Sequence, residues 1–137
     1  MAVGSDTRSR LGLAWGVRYL RIFAGGDGRS GFEDVQVAGV AAVTVAGVPP
    51  LLVSGPFSVG GMTFVEQPED AAEWEPHVAP RCQWVIVLRG RAAVTVSTGE
   101  RREVGAGDVL LFEDTIGEGH VSTPLTQDLA FAMIPTA

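Results

Sequence analysis

His77 and His120 are the only two histidines in this chain of 137 residues. Each lies among the residue types that proton-transfer chemistry uses. His77 sits in the stretch Trp74-Glu75-Pro76-His77-Val78-Ala79-Pro80-Arg81-Cys82-Gln83, and His120 closes Glu113-Asp114-Thr115-Ile116-Gly117-Glu118-Gly119-His120. An imidazole with a pKa near about 6.5 can act as general acid or base at neutral pH. Gln83 opens an apolar run, and a buried amide there must be hydrogen-bonded, either to a histidine or to a ligand. The neighbouring carboxyls of Glu113 and Asp114 either assist that chemistry or cap their own loop. Enclosure of Glu113 by apolar neighbours would raise its pKa into the range useful for proton transfer.

Strands must carry these groups. Gln83 to Leu88 is apolar on both faces apart from Gln83 itself, as expected of a strand lining a closed space. Alternation places Gln83, Val85 and Val87 on the inner face, with Cys82 and Trp84 on the outer one. Cys82 has no evident base beside it and reads as an inert small hydrophobe. Trp84 is expected to pack outside, at a subunit interface. Phe64, Met62 and Trp74 are expected to join Gln83 and Val85 in lining the space. Ala92 to Ser97, the turn Thr98-Gly99 and Glu100 to Val104 form a hairpin signature. Further strands are expected over Tyr19–Phe23, Phe32–Val37, Ala41–Val45, Leu51–Ser54, Met62–Gln67, Val109–Phe112 and Asp128–Ile134. No segment keeps a helical period over three turns. About ten short strands joined by glycine and proline turns indicate an all-β barrel or double sheet.

Composition sets outer limits. The length suits one domain with its own core. A formal charge of −6 and the lack of any Lys/Arg cluster argue against nucleic-acid and anionic-membrane partners. The single cysteine excludes an intrachain disulfide and fits a reducing cytoplasm. No apolar run approaches the roughly 20 residues needed to span a bilayer, and Leu11–Trp15 is too short for a signal-peptide core. The chain therefore reads as cytoplasmic, with residues 1–16 as an N-terminal arm and 17–137 as the domain. The glycine-rich Ala24–Gly31 reads as a plain turn, because no helix follows to bind a phosphate. Residues 68–73 read as a solvated acidic connector.

From Gly61 to Met133 the chain resembles the cupin superfamily. That family's first motif has a glycine, two histidines one residue apart, a glutamate and a closing glycine. Here His77 matches the first histidine, Ala79 replaces the second, Gln83 takes the glutamate position and Gly90 closes. In the second motif Gly107 is in place, Glu113 stands at the proline position, and the loop 114–119 is about two residues longer before His120. Glu-Asp-Thr-x-Gly-x-Gly-His, together with Gly31-Phe32-Glu33-Asp34, is similar to a group of single-domain bacterial cupins. The resemblance implies a double-stranded β-helix, or jelly-roll barrel, that is homodimeric. It also brings both histidines to one end of the barrel.

The usual cupin site takes three histidines and one glutamate, so this chain departs at two of four ligand positions. A reduced metal site of His77, Gln83 and His120 would take zinc, iron, nickel or manganese. Our principal expectation is an enzyme using non-redox acid–base chemistry (isomerisation, cyclisation or elimination) on a small organic substrate. His77, His120, Glu113 and Asp114 would be catalytic, and Gln83, Trp74, Phe64, Met62 and Val85 would bind the substrate. The competing expectations are a metal-dependent dioxygenase or lyase, and a non-catalytic ligand-binding sensor.

Overall fold

β-Branched runs cut by glycine turns give eleven short strands in the computed structural model, which describes residues 16–68 and 74–137. In chain order they are β1 (Arg18–Ala24), β2 (Ser30–Gln36), β3 (Val40–Ala42), β4 (Leu51–Val53), β5 (Thr63–Glu66) and β6 (Gln83–Arg89). These are followed by β7 (Arg91–Val96), β8 (Arg101–Gly105), β9 (Val109–Phe112), β10 (His120–Pro124) and β11 (Ala130–Pro135). Among the described residues there is no helix, and so none long and apolar enough to cross a membrane. Most of the expected arm, 1–15, and most of the acidic connector, 69–73, lie outside the described residues.

The contacts divide the chain into two units, one containing Val35–Phe57 and the other Tyr19–Asp34 with Ser58–Ala137. In the smaller unit, β3 and β4 form an antiparallel ladder with Val40 opposite Val53 and Ala42 opposite Leu51. Most of its apolar side chains, including Val40, Leu51 and Leu52, are exposed.

The larger unit is the jelly roll. One sheet has the order β2-β1-β9-β6-β11-β5 and the other β10-β7-β8. Strand β6 lies antiparallel between β9 and β11, with Gln83 opposite both Phe112 and Pro135. Strand β1 runs parallel to β9, pairing Leu20 with Leu110 and Ile22 with Phe112. Inward residues of both sheets share one core, in which Ile22, Val87, Val94, Val96, Val104, Leu110 and Phe112 are buried. Burying side chains of this size stabilises by roughly 1.5–3 kcal/mol each. The hairpin between β7 and β8 turns at Gly99, which has φ +95°.

The glycines of the second motif have a packing reason. Gly117 (φ +82°) lies against Gly28, and a Cβ on it would come within 2.3 Å of the Gly28 carbonyl oxygen. The Glu118 amide donates to that same carbonyl at 2.8 Å. The glycine-rich loop is thus a turn, closed by Gly28 N–H to Gly25 O and by Arg29 N–H to the Asp27 carboxylate. It serves as the seat for the second motif. The loop 114–119 is pinned again by Ser30, which is 1 % exposed and donates to the Gly119 carbonyl at 2.5 Å.

Candidate active site

Three backbone hydrogen bonds join the two motifs. The His77 amide donates to the His120 carbonyl at 3.0 Å, the His120 amide returns the bond at 2.9 Å, and the Ala79 amide donates to the Asp114 carbonyl at 3.0 Å. The chains can approach this closely because residue 119 is glycine. Its φ is +74°, and a Cβ there would fall 2.2 Å from the His77 carbonyl oxygen. Backbone pairing therefore sets the two imidazoles side by side, with ring centroids 4.7 Å apart.

Both rings border a cavity of about 320 Å³. The other polar side chains on its wall are Gln83, Ser122 and the indole of Trp74, and the rest is apolar, with Val85, Val87, Val94, Leu110, Phe112 and Phe131 prominent. Volume and lining fit a small-molecule pocket near the lower end of the usual range, about 300–1,000 Å³. Ala79 lies in the wall and is buried. The residue that replaces the second histidine thus occupies a position from which that histidine would have faced the cavity.

The two histidines are held differently. His120 is 5 % exposed and Asp114 behind it is fully buried. The Nδ1–H of His120 donates to Asp114 Oδ2 at 2.5 Å. Asp114 Oδ1 has no hydrogen-bond partner among the described residues. The ring is also packed against Phe112, centroid to centroid 4.7 Å. His77 is half-buried, and its Nδ1 lies 2.8 Å from the Glu75 carbonyl. A carbonyl can only accept, so this nitrogen carries the proton in the neutral ring. In both residues Nε2 is therefore left with the lone pair. The tautomers follow from the partners. Trp74 lies beside His77, at 5.9 Å between centroids.

Asp114 does not border the cavity, so it acts through His120 and not on a ligand. That corrects its expected role as a group in contact with substrate. Glu113 is a second correction. Although adjacent to Asp114, it points to the opposite side of β9 and pairs with the Arg21 guanidinium, which also reaches Glu33. The hydrogen bond that Arg21 donates to Glu113, with a smaller contribution from Glu33, pushes the Arg21 pKa up. The parallel pairing of β1 with β9 puts Arg21 there, opposite Leu111. Glu113 is taken up in this pairing away from the cavity wall.

Met62 and Phe64 are likewise absent from the wall, being 57 % and 68 % exposed. The phase of β5 is the reverse of that expected, and Val65 faces inward. Gln83, Val85 and Trp74 do reach the cavity, as do both histidines. Trp84 is turned outward and meets Tyr19 edge to face at 4.7 Å. Sequence reasoning left out Ser122, two residues beyond His120 on the same strand face, and the Phe131/Met133 pair of β11. Period-two alternation from His120 and along β11 was the available signal for both.

A metal of the cupin type would need donors that this wall lacks. The described residues contain no cluster of three or more His, Cys, Asp or Glu able to hold an ion. Two neutral imidazoles and a neutral amide remain, while the Asp114 carboxylate is hydrogen-bonded to His120 Nδ1. With no anionic ligand facing the cavity among the described residues, this set does not fit a tightly held divalent ion.

No family model matches the chain, and no curated protein matches it. Among solved structures, the chain is similar to a Salmonella typhimurium LT2 protein described as a candidate ethanolamine utilization protein Q. The match has 12 % identity and a TM-score of 0.36 and covers 88 % of this chain and 95 % of that one. A likeness at that level says nothing about activity.

Proposed function

We propose that this chain is an enzyme that moves a proton on a small organic molecule held in the jelly-roll cavity, as in isomerisation, cyclisation or elimination. The observation that carries this reading is the buried Asp114–His120 pair, with His120 on the cavity wall. A fully buried carboxylate costs several kcal/mol unless it is compensated. The Nδ1–H of His120 gives that carboxylate its hydrogen bond, which fixes the tautomer that leaves Nε2 unprotonated. His120 can then act as a base, Nε2 taking a proton from the bound molecule while Asp114 holds the ring in place. Charge-assisted hydrogen bonds of this kind contribute roughly 1.5–3 kcal/mol. His77 stands beside His120, with ring centroids 4.7 Å apart. Gln83, buried and without a side-chain hydrogen bond among the described residues, is free to orient the substrate.

The test is hydrogen–deuterium exchange of enolisable carbonyl compounds in heavy water, followed by NMR. Wild-type protein should accelerate exchange at the carbon next to the carbonyl, and His120→Gln should abolish the acceleration. Equal acceleration by the His77→Gln/His120→Gln double variant would refute the reading.

A further inference from the structure

The cavity wall is sorted by polarity along the strands. At one end His77, His120 and Gln83 stand together; Gln83 pairs with Phe112 across the sheet, and the Phe112 ring touches His120. Moving along β6, the inward positions become Val85 and then Val87. Along β10 the inward series after His120 is Ser122 and then Pro124. Leu129 and Phe131 also line the cavity, Phe131 lying opposite Val87 across the sheet. Four residues of strand separate Gln83 from Val87, a run of about 13 Å at 3.3 Å per residue. Among the described residues, no Lys, Arg, Asp or Glu borders the cavity at either end.

From this gradient we propose the substrate class: an uncharged carbonyl compound with a hydrocarbon body of about eight to ten carbons, a ketone or a lactone. This deepens the proton-transfer reading and rests on it for the chemistry alone. A carboxylate or phosphate head would surrender its hydration to a wall that, among the described residues, has no fixed cation, which is costly in an apolar site. A carbonyl oxygen needs only one donor, and the Gln83 amide NH₂ supplies it. The hydrocarbon body then covers Val85, Val87, Leu129 and Phe131, where burying each methylene adds to affinity.

In the step that follows, His120 Nε2 removes a proton from the carbon next to the carbonyl. The electron pair of that C–H bond becomes the enolate, whose oxygen stays on the Gln83 amide. The proton is then returned to carbon from His120 Nε2. Nothing is gained or lost overall, and no oxidant or second reactant enters.

The experiment is calorimetric titration of the full chain with 2-nonanone, nonanoate and 2-butanone, with the ketone arms repeated in heavy water. Expected is binding of 2-nonanone at least about tenfold tighter than either nonanoate, which carries a charge, or 2-butanone, which lacks the body. Gln83→Leu should weaken 2-nonanone about tenfold, the scale of one hydrogen bond to a buried group. Gln83→Arg should shift the preference towards nonanoate, which keeps the test valid if the leucine variant folds poorly. The proposal is overturned if wild-type protein prefers nonanoate, if it binds the two ketones equally, or if it binds none of the three. Tight binding of 2-nonanone without deuterium uptake would uphold the ligand class and count against proton transfer.

Discussion

The first motif, His77 to Gln83, and the second, Asp114 to His120, meet through paired backbone hydrogen bonds, yet they are built to different standards. The second is seated on two left-handed glycines, pinned by the buried Ser30 hydroxyl, and carries a fully enclosed carboxylate against its histidine. The first offers a half-buried histidine held to a neighbouring carbonyl, a small apolar residue at 79 and a neutral amide at 83. In the second motif, enclosure fixes one imidazole in one tautomer beside a charge. In the first, the histidine is half-buried and its neighbours on the wall are uncharged. The asymmetry suits a base supported from behind and facing a substrate across an apolar cavity. Together the motifs are a weak set for a metal, because two neutral imidazoles and a neutral amide offer no anionic donor.

Gly119→Ala should produce the largest break. The positive φ and the approach of Cβ to the His77 carbonyl together predict a loss of about 3 kcal/mol or more in urea denaturation. Activity should fall with it, because the bridge between the motifs opens. Gly99→Ala is the internal control: its φ of +95° carries the backbone cost, but nothing lies within 4 Å of the added Cβ. It should cost only about 1–2 kcal/mol.

Asp114→Asn separates support from packing. The amide is nearly isosteric and can still accept from His120 Nδ1–H, so stability should change by less than about 1 kcal/mol. The turnover number should fall on the order of 100-fold or more, with little change in KM, because the imidazolium loses its counter-charge. Equal losses in kcat/KM and in stability would mean that Asp114 only holds the loop.

Strengthening the weaker motif tests the same contrast from the other side. In Ala79→His/Gln83→Glu, both new side chains start from positions in the cavity wall. Zinc titration should show binding about 10- to 100-fold tighter than wild type, a range that even outer ligands of metal sites can command. The smallest expected effect is that of Glu113→Gln. It removes a partly exposed ion pair with Arg21, so stability should drop by no more than about 1 kcal/mol, with activity unchanged.

How much of this could be read from the chain varies with its physical origin. Alternation from Gln83 correctly placed Val85 and Val87 inward and Trp84 outward, because β6 is flanked on both sides and its pleat is regular. The same reasoning failed for Met62 and Phe64. Strand β5 lies at a sheet edge and is four residues long, so only pairing with β11 sets its phase. The tyrosine that receives Trp84 and the arginine that captures Glu113 both come from β1, about ninety residues from Glu113 in the second case. No local pattern announces a parallel pairing of that range. Glu113 and Asp114 looked equivalent in sequence because they are adjacent. The end of β9 sends one outward to Arg21 and the other inward to His120, and this difference decides which carboxylate bears on the chemistry.

The most direct measurement is a long-range proton–nitrogen correlation spectrum of the histidine rings in uniformly ¹⁵N-labelled protein above neutral pH. With two histidines in the chain, one His77→Gln sample assigns every signal. The expected result is that His120 carries its proton on Nδ1, held by Asp114, with Nε2 showing the shift of an unprotonated nitrogen. In Asp114→Asn this preference should weaken. A wild-type His120 protonated on Nε2 in its neutral form would have no lone pair there, and His120 could not be the base.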